Sequence, residues 1–252
     1  MSIKLGIVQY ENSHRWDKNF EYAVKTIKHF SKKGVDIVCF QEAYMSGYGA
    51  YSMMMEFSYI EQFLEKIKEL AYELDICVFI PSLIEKKLKI YNACYVFNHD
   101  KGDSTIYKYG LTPSETIMLT PKRSTRRFSL KGVDIGVLIC REMQDKPYAY
   151  FDKKDLPQLL LWPSYWGWSY KDKWGEKTSD GKEDKTYSLI KALKLPLIQI
   201  NMANTPLANG NMFKAGKSVI VNSDNKKVGV GSFSKVDRYI VEFKNSKLRK
   251  LR

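Results

Sequence analysis

A mixed α/β fold follows from three features of the sequence. Apolar runs alternate with helical periodicity through the first third of the chain. Beyond residue 88 the pattern turns to paired strands around turn residues, and no linker, repeat or low-complexity tract divides the 252 residues. Strand–helix–strand alternation predicts parallel pairing through right-handed crossovers, and the later pairs predict antiparallel hairpins. One domain spanning 1–252 is the expectation.

Ile3 to Gln9 reads as a buried strand. Between Asn19 and Lys32, Phe20, Val24, Ile27 and Phe30 recur at helical spacing, and Gly34 supplies a stop. Val35 to Phe40 predicts a second strand. Ile60, Leu64, Ile67, Ala71 and Leu74 mark a second helix, and Ile76 to Leu83 a third strand. Ile90–Phe97 and Thr105–Tyr107 flank one turn, and Arg127–Leu130 and Val133–Cys140 flank Lys131-Gly132. Gln158–Trp162 is another buried strand. Thr186–Leu193 predicts a short helix leading into a strand at Leu197–Asn201. Strands at Ser218–Asn222, Val228–Ser232 and Tyr239–Phe243 close the pattern.

The chain carries 41 Lys plus Arg against 28 Asp plus Glu, a net charge of +13. Such charge raises the question of nucleic acid, because these side chains neutralise phosphates. Three details weigh against it. Lysine outnumbers arginine, whereas base-edge recognition leans on the planar Arg fork. The lysines are interleaved with acids, as in Lys182-Glu183-Asp184-Lys185. Only the tail, Lys244 to Arg252, is a one-signed run, which reads as a solvated end. No run approaches the ~20 apolar residues needed to cross a bilayer. The start, Met1 to Ile7, alternates like a strand and lacks the apolar block of a signal peptide. A cytoplasmic protein is expected.

The four cysteines, at 39, 77, 94 and 140, show no CxxC and no Cys/His spacing suited to zinc. Cys39, Cys77 and Cys94 lie inside apolar runs and read as small core residues. Charge follows Cys140 immediately. Signatures of phosphate loops, zinc proteases, serine hydrolases and calcium loops are absent. None of the three histidines stands beside an obvious nucleophile, which argues against a Ser-His-Asp triad. What remains is three reactive residues, each at the carboxyl end of an expected strand: Glu42, Lys108 and Cys140. Such ends share one rim of an α/β sheet, where ligands tend to bind. A thiol, a carboxylate and an ammonium there supply a nucleophile, a base and an oxyanion stabiliser.

These residues sit in segments that together resemble the nitrilase superfamily, the carbon–nitrogen hydrolases. Ile7-Val8-Gln9 is similar to that family's first strand. Asp36 to Ala43 with Ser46-Gly47-Tyr48 resembles its catalytic-glutamate segment, and Tyr107-Lys108 its lysine segment. Gly136 to Glu142 resembles the nucleophile elbow, and Ile200 to Asn204 and Gly216 to Val221 the late strands. The resemblance implies a four-layer α-β-β-α sandwich. It also implies Glu42, Lys108 and Cys140 as the triad, with Glu115 where a second glutamate holds the lysine. It implies hydrolysis of a small-molecule amide, ureide or nitrile through a thioester, with no metal or organic cofactor. Lys108 and the peptide N–H of Arg141 would hold the oxyanion.

Around the triad, Tyr48, Arg141, Trp162, Ser164 and Trp166 are candidate substrate-binding residues. The last three fall in Trp162–Trp168, a segment that borders the pocket in the resembled family. Arg141 could hold an anionic substrate group or pair with Glu142, and the pair is the plainer expectation. The aromatics of Met143–Trp168, Tyr148 and Trp168 among them, suggest a self-paired surface and hence a homodimer. Two other readings stand: a soluble amide-forming acyltransferase using the same triad, and a basic nucleic-acid-binding or scaffold protein with an inactive one.

Overall fold

The computed structural model describes residues 1–48, 57–144, 149–167, 192–206, 212–214, 216–224 and 226–251. β1 (Ser2–Gln9) leads through α1 (Trp16–Ser31) to β2 (Ile37–Cys39), and α2 (Phe57–Glu73) leads to β3 (Cys77–Lys86). β1, β2 and β3 pair in parallel. β4 (Lys89–Phe97) then pairs antiparallel to β3, and β5 (Ser104–Tyr107) antiparallel to β4. Two reversals return β5 to the direction of β2, so the carboxyl ends of both strands face one rim.

The second sheet repeats the plan. β6 (Arg127–Leu130) is antiparallel to β7 (Val133–Val137), which runs parallel to β8 (Leu159–Ser164) and β9 (Leu197–Asn201). β10 (Asn204–Pro206) and β11 (Met212–Lys214) form a separate two-stranded ribbon that the sequence pattern did not mark. β12 (Val219–Val221) and β13 (Lys227–Val230) complete the second sheet. The chain crosses back through β14 (Asp237–Lys244), which pairs antiparallel with β1, and ends in β15 (Lys247–Lys250) at the edge of the seven-stranded sheet.

Three apolar layers hold these parts together. α1 buries Ala23, Ile27 and Phe30, and α2 buries Ile60, Leu64, Ile67 and Ala71, against the outer face of the first sheet. Between the sheets, Leu5, Ile7 and Cys39 of one meet Ile135, Val137 and Leu161 of the other. Outside the second sheet, Leu138, Leu160, Trp162 and Leu197 pack with Leu193 and Phe151. Each such side chain contributes about 1.5–3 kcal/mol by leaving water. The helix expected at Thr186–Leu193 lies outside the described residues except for Ala192 and Leu193.

Several boundaries differ from the sequence pattern. α1 starts at Trp16, three residues before the first apolar repeat suggests, with Asp17 in the first turn where the helix dipole favours an acid. The helix ends at Ser31, and the turn after it closes on Gly34, whose φ is +65° and whose N–H reaches Ser31 O at 2.9 Å. The tail is not a solvated end: Leu248 is buried and β15 pairs with β14, with Lys247 and Arg249 exposed and Lys250 half-buried, its Nζ on Val230 O at 3.3 Å. β7 stops at Val137 because the chain turns at Cys140. Gly136 allows this layer to close, since a Cβ there would lie 2.6 Å from Pro157 Cγ. Cys39, Cys77 and Cys94 are buried in the layer between the sheets, as expected.

Candidate active site

Glu42 lies three residues beyond the end of β2. The chain turns behind it on Ala43, at φ +50°, a left-handed conformation uncommon for a residue with a Cβ. The corner is pinned from several sides. Asn19 Nδ2 donates to Tyr44 O at 3.1 Å and Met45 O at 3.2 Å, and Asn12 exchanges two bonds with the backbone of Tyr48. Glu42 is 2 % exposed. Its Oε1 accepts from Lys108 Nζ and Asn92 Nδ2, both at 2.8 Å, and its Oε2 from the Tyr165 N–H at 2.9 Å.

Lys108 follows β5, and its own N–H is fixed on Asn92 O at 2.8 Å. Its side chain is fully buried, and Nζ also donates to Glu115 Oε1 at 2.6 Å. Glu115 opens a short 3₁₀ turn, Glu115–Ile117, and takes the Thr112 N–H at 2.6 Å and the Tyr48 hydroxyl. One ammonium thus serves two carboxylates. Burial works against the Lys108 charge, but Glu42, Cys140 and Glu115 outweigh it and hold the ammonium above its ordinary pKa. Burial likewise pushes Glu115 up, yet Lys108 and the surrounding donors bring it below the ordinary carboxyl value.

Cys140 opens a one-turn 3₁₀ segment, Cys140–Gln144, at φ +50°. The strain lifts the thiol out of the strand register onto the rim. The carbonyl of Cys140 is held by the Trp162 indole N–H at 2.8 Å, and Sγ lies 3.8 Å from Tyr165 O. Burial first, and then the neighbouring Glu42 carboxylate, raise the thiol above its ordinary pKa, with Lys108 opposing. The resting thiol is therefore protonated at neutral pH, with a carboxylate beside it.

The structure brings Glu42, Lys108, Cys140 and Glu115 together and sorts the other candidates. Tyr48 belongs to the site: its hydroxyl meets Glu115, its ring stacks on Tyr165 at 5.0 Å, and burial with Glu42 and Glu115 keeps it a neutral donor. Trp162 lies in the layer outside the second sheet. It is fully buried there, and its indole N–H is satisfied by the Cys140 carbonyl at 2.8 Å. Ser164 is also fully buried, its hydroxyl tied to Gln199 Nε2 at 3.0 Å. Trp166 is half-buried against Trp162, with its backbone held on both sides by Asn201. Arg141 directly follows the thiol, but the expected Arg141–Glu142 pair gives way to another. Glu142 binds Arg126 through two bonds, at 2.9 and 2.7 Å. Trp168 and Tyr148 lie outside the described residues.

Asn92, the Tyr165 N–H and Asn201 are site partners that the sequence reading missed. Asn92 had a signal: an amide inside an apolar strand must find a partner when buried. A cavity of about 320 Å³ bounded by Tyr109, Arg123, Arg126 and Tyr150 contains no triad residue in its wall. Among the described residues, Asp75, His99 and Asp100 could converge on a metal, and all three are exposed and outside the triad. No helix among the described residues is long and apolar enough to cross a membrane.

The sequence pattern of the Carbon-nitrogen hydrolase family matches residues 4–148, a span that contains all three triad positions. The chain belongs to the carbon–nitrogen hydrolase family. Omega-amidase NIT2 of Xenopus tropicalis is 29 % identical over 183 residues, covering 64 % of this chain and 63 % of the relative. The chain thus spans less than two thirds of the length of the curated relatives it matches. A carbon-nitrogen hydrolase from Helicobacter pylori G27 shares the fold at TM-score 0.78 and 18 % identity, over 96 % of this chain and 88 % of that one. Saccharomyces cerevisiae Nit3, a nitrilase-superfamily member, does so at 0.74 and 21 %, over 96 % and 89 %. The fold is that of the nitrilase superfamily, as the sequence resemblance implied.

Proposed function

We propose that this carbon–nitrogen hydrolase, as one domain over 1–252, cleaves a non-peptide amide or carbamoyl C–N bond of a small molecule through a thioester on Cys140. The observation that carries this reading is the convergence of the three side chains: Lys108 Nζ donates to Glu42 Oε1 at 2.8 Å, and Tyr165 joins the other two, its N–H on Glu42 Oε2 at 2.9 Å and its carbonyl 3.8 Å from Cys140 Sγ. Glu42 takes the thiol proton as Sγ attacks the carbonyl carbon. Lys108 spends two N–H groups on carboxylates, and its third, with the peptide N–H of Arg141, receives the developing oxyanion. Collapse breaks the C–N bond, and Glu42 returns its proton to the leaving amine. Glu42 then activates water, which splits the thioester to a carboxylic acid and restores the thiol.

Ammonia release across a panel of terminal amides, ureides and nitriles tests the reaction, with ω-amides first because the matched relatives are omega-amidases. Rapid acid quenching of the wild-type enzyme during turnover should show the acyl mass on Cys140, and the Cys140→Ala variant should show none. A chain that releases no ammonia and forms no adduct overturns the reading. The reading includes a homodimer, supported by exposed Tyr109, Ile117 and Met118 near the lysine segment. Of the aromatics after the nucleophile, Phe151 and Trp162 are buried within the subunit and take no part in that surface. Light scattering that finds an active monomer removes the dimer. Four free cysteines suit a reducing cytoplasm.

A further inference from the structure

We propose that Glu142, locked by Arg126, is a positioning residue that fixes the lysine-bearing loop against the nucleophile corner. Its carboxylate is fully buried and accepts five hydrogen bonds. Oε1 takes the N–H groups of Tyr109 and Gly110, at 2.7 and 3.0 Å, immediately after Lys108. Oε2 takes the N–H of Ile139, at 2.8 Å, immediately before Cys140. The Arg126 guanidinium grips both oxygens.

The arrangement joins two sheets at the place where their chemistry must meet. Lys108 is placed by the first sheet, through its bond to Asn92 of β4. Arg126 and Ile139 belong to the second, where Arg126 O accepts the Val137 N–H of β7 at 2.9 Å. Neither sheet alone fixes the separation of ammonium and thiol. The Glu142 carboxylate does, because one rigid planar group binds peptide donors from both sides. Displacements of about 1 Å in a reacting constellation can cost about 10²-fold in rate. Glu142 touches no reacting atom and acts only through the backbone of its neighbours.

This inference rests on the proposed hydrolysis, and its test is built to be separable from it. Glu142→Gln alone strips a buried guanidinium of its counter-charge and threatens folding. The double variant Glu142→Gln/Arg126→Met removes both charges at similar volume. The amide accepts on only one of its two outer atoms, so it can serve the Ile139 side or the Tyr109 side but not both. With the best amide from the panel, kcat should fall about tenfold or more while KM stays within about threefold and melting stays near wild type. Alkylation of Cys140 by iodoacetamide, which needs no substrate, should slow in parallel. If the double variant recovers both melting and kcat, the pair serves stability alone and the inference is overturned. If wild type hydrolyses no amide, the alkylation rate decides: slower supports the clamp, unchanged or faster overturns it.

Discussion

The Lys108 cluster and the Arg126–Glu142 pair are both buried and both close to Cys140, yet they differ in charge balance. Arg126 and Glu142 match one to one, with every carboxylate oxygen also held by peptide N–H groups. Lys108 faces two carboxylates, Glu42 and Glu115, and the excess negative charge falls beside the thiol. A balanced pair fixes geometry. An unbalanced set holds a proton where it can be moved, because no arrangement of one ammonium satisfies both acids and the thiol at once. The two left-handed corners, at Ala43 and Cys140, place the acid and the thiol, one from each sheet.

The sharpest way to break this contrast is to remove the proton acceptor or the nucleophile. Cys140→Ala and Glu42→Gln should each lower turnover by about 10⁴-fold or more with the fold intact, as losses of a nucleophile or its base generally do. Iodoacetamide should label Cys140 before Cys39, Cys77 or Cys94. Prior labelling of one of those three with activity retained would remove Cys140 from its role.

Next in size is the cation. Lys108→Arg should cost about 10²–10³-fold in kcat, close to Lys108→Ala, because a guanidinium fork cannot occupy the point-like place of an ammonium with both carboxylates still bound. Steady-state kinetics decide it. Full activity in the Arg variant would reduce Lys108 to a general charge and erase the difference between the two clusters.

Glu115→Gln should reduce kcat by about tenfold, since Lys108 keeps Glu42 but loses one restraint. It also has a stability signature. Glu115 sits below its ordinary value of 4.5 when folded, so its stabilisation is present above that pH and is lost as pH falls through the folded value. Thermal melts between pH 5 and 3, on the order of the carboxyl range, should therefore be flatter in the Gln variant than in wild type. The thiol gives a complementary profile. Its pKa is held above the ordinary 9.0, so alkylation of Cys140 should still be rising at about pH 9.

The smallest effect marks the boundary of the comparison. Arg127 and Asp155 form a 2.7 Å ion pair whose acid is 75 % exposed. Asp155→Ala should change stability by about 0–1 kcal/mol in denaturant melts and leave kcat unchanged, because solvent already screens the pair. A large effect there would show that surface charge, abundant in a chain of net charge +13, matters as much as the buried clusters.

The sequence by itself determined most of the strands and helices, and the triad candidates. Apolar periodicity marked β1, α1, β2, α2 and β3 because these segments bury one face or both, and burial leaves a local imprint in residue type. Glu42, Lys108 and Cys140 stood out because reactive side chains closed apolar strands. Glu142 was misread for the same reason that these were found. Sequence neighbours suggested Arg141 as its partner, but the pairing choice is made in space, where Arg126, just before β6, presents both nitrogens to one carboxylate. Trp162 and Ser164 lie in the expected segment but are fully buried, Trp162 in the layer outside the second sheet, a matter of strand facing that a short aromatic run does not encode. The tail looked solvated because its charges dominate, while the single buried Leu248 and the free edge of β14 drew it into the sheet. Asn92 and the Tyr165 N–H became partners of Glu42 only when the first sheet closed on the second, since donors from distant segments meet one acceptor through packing alone.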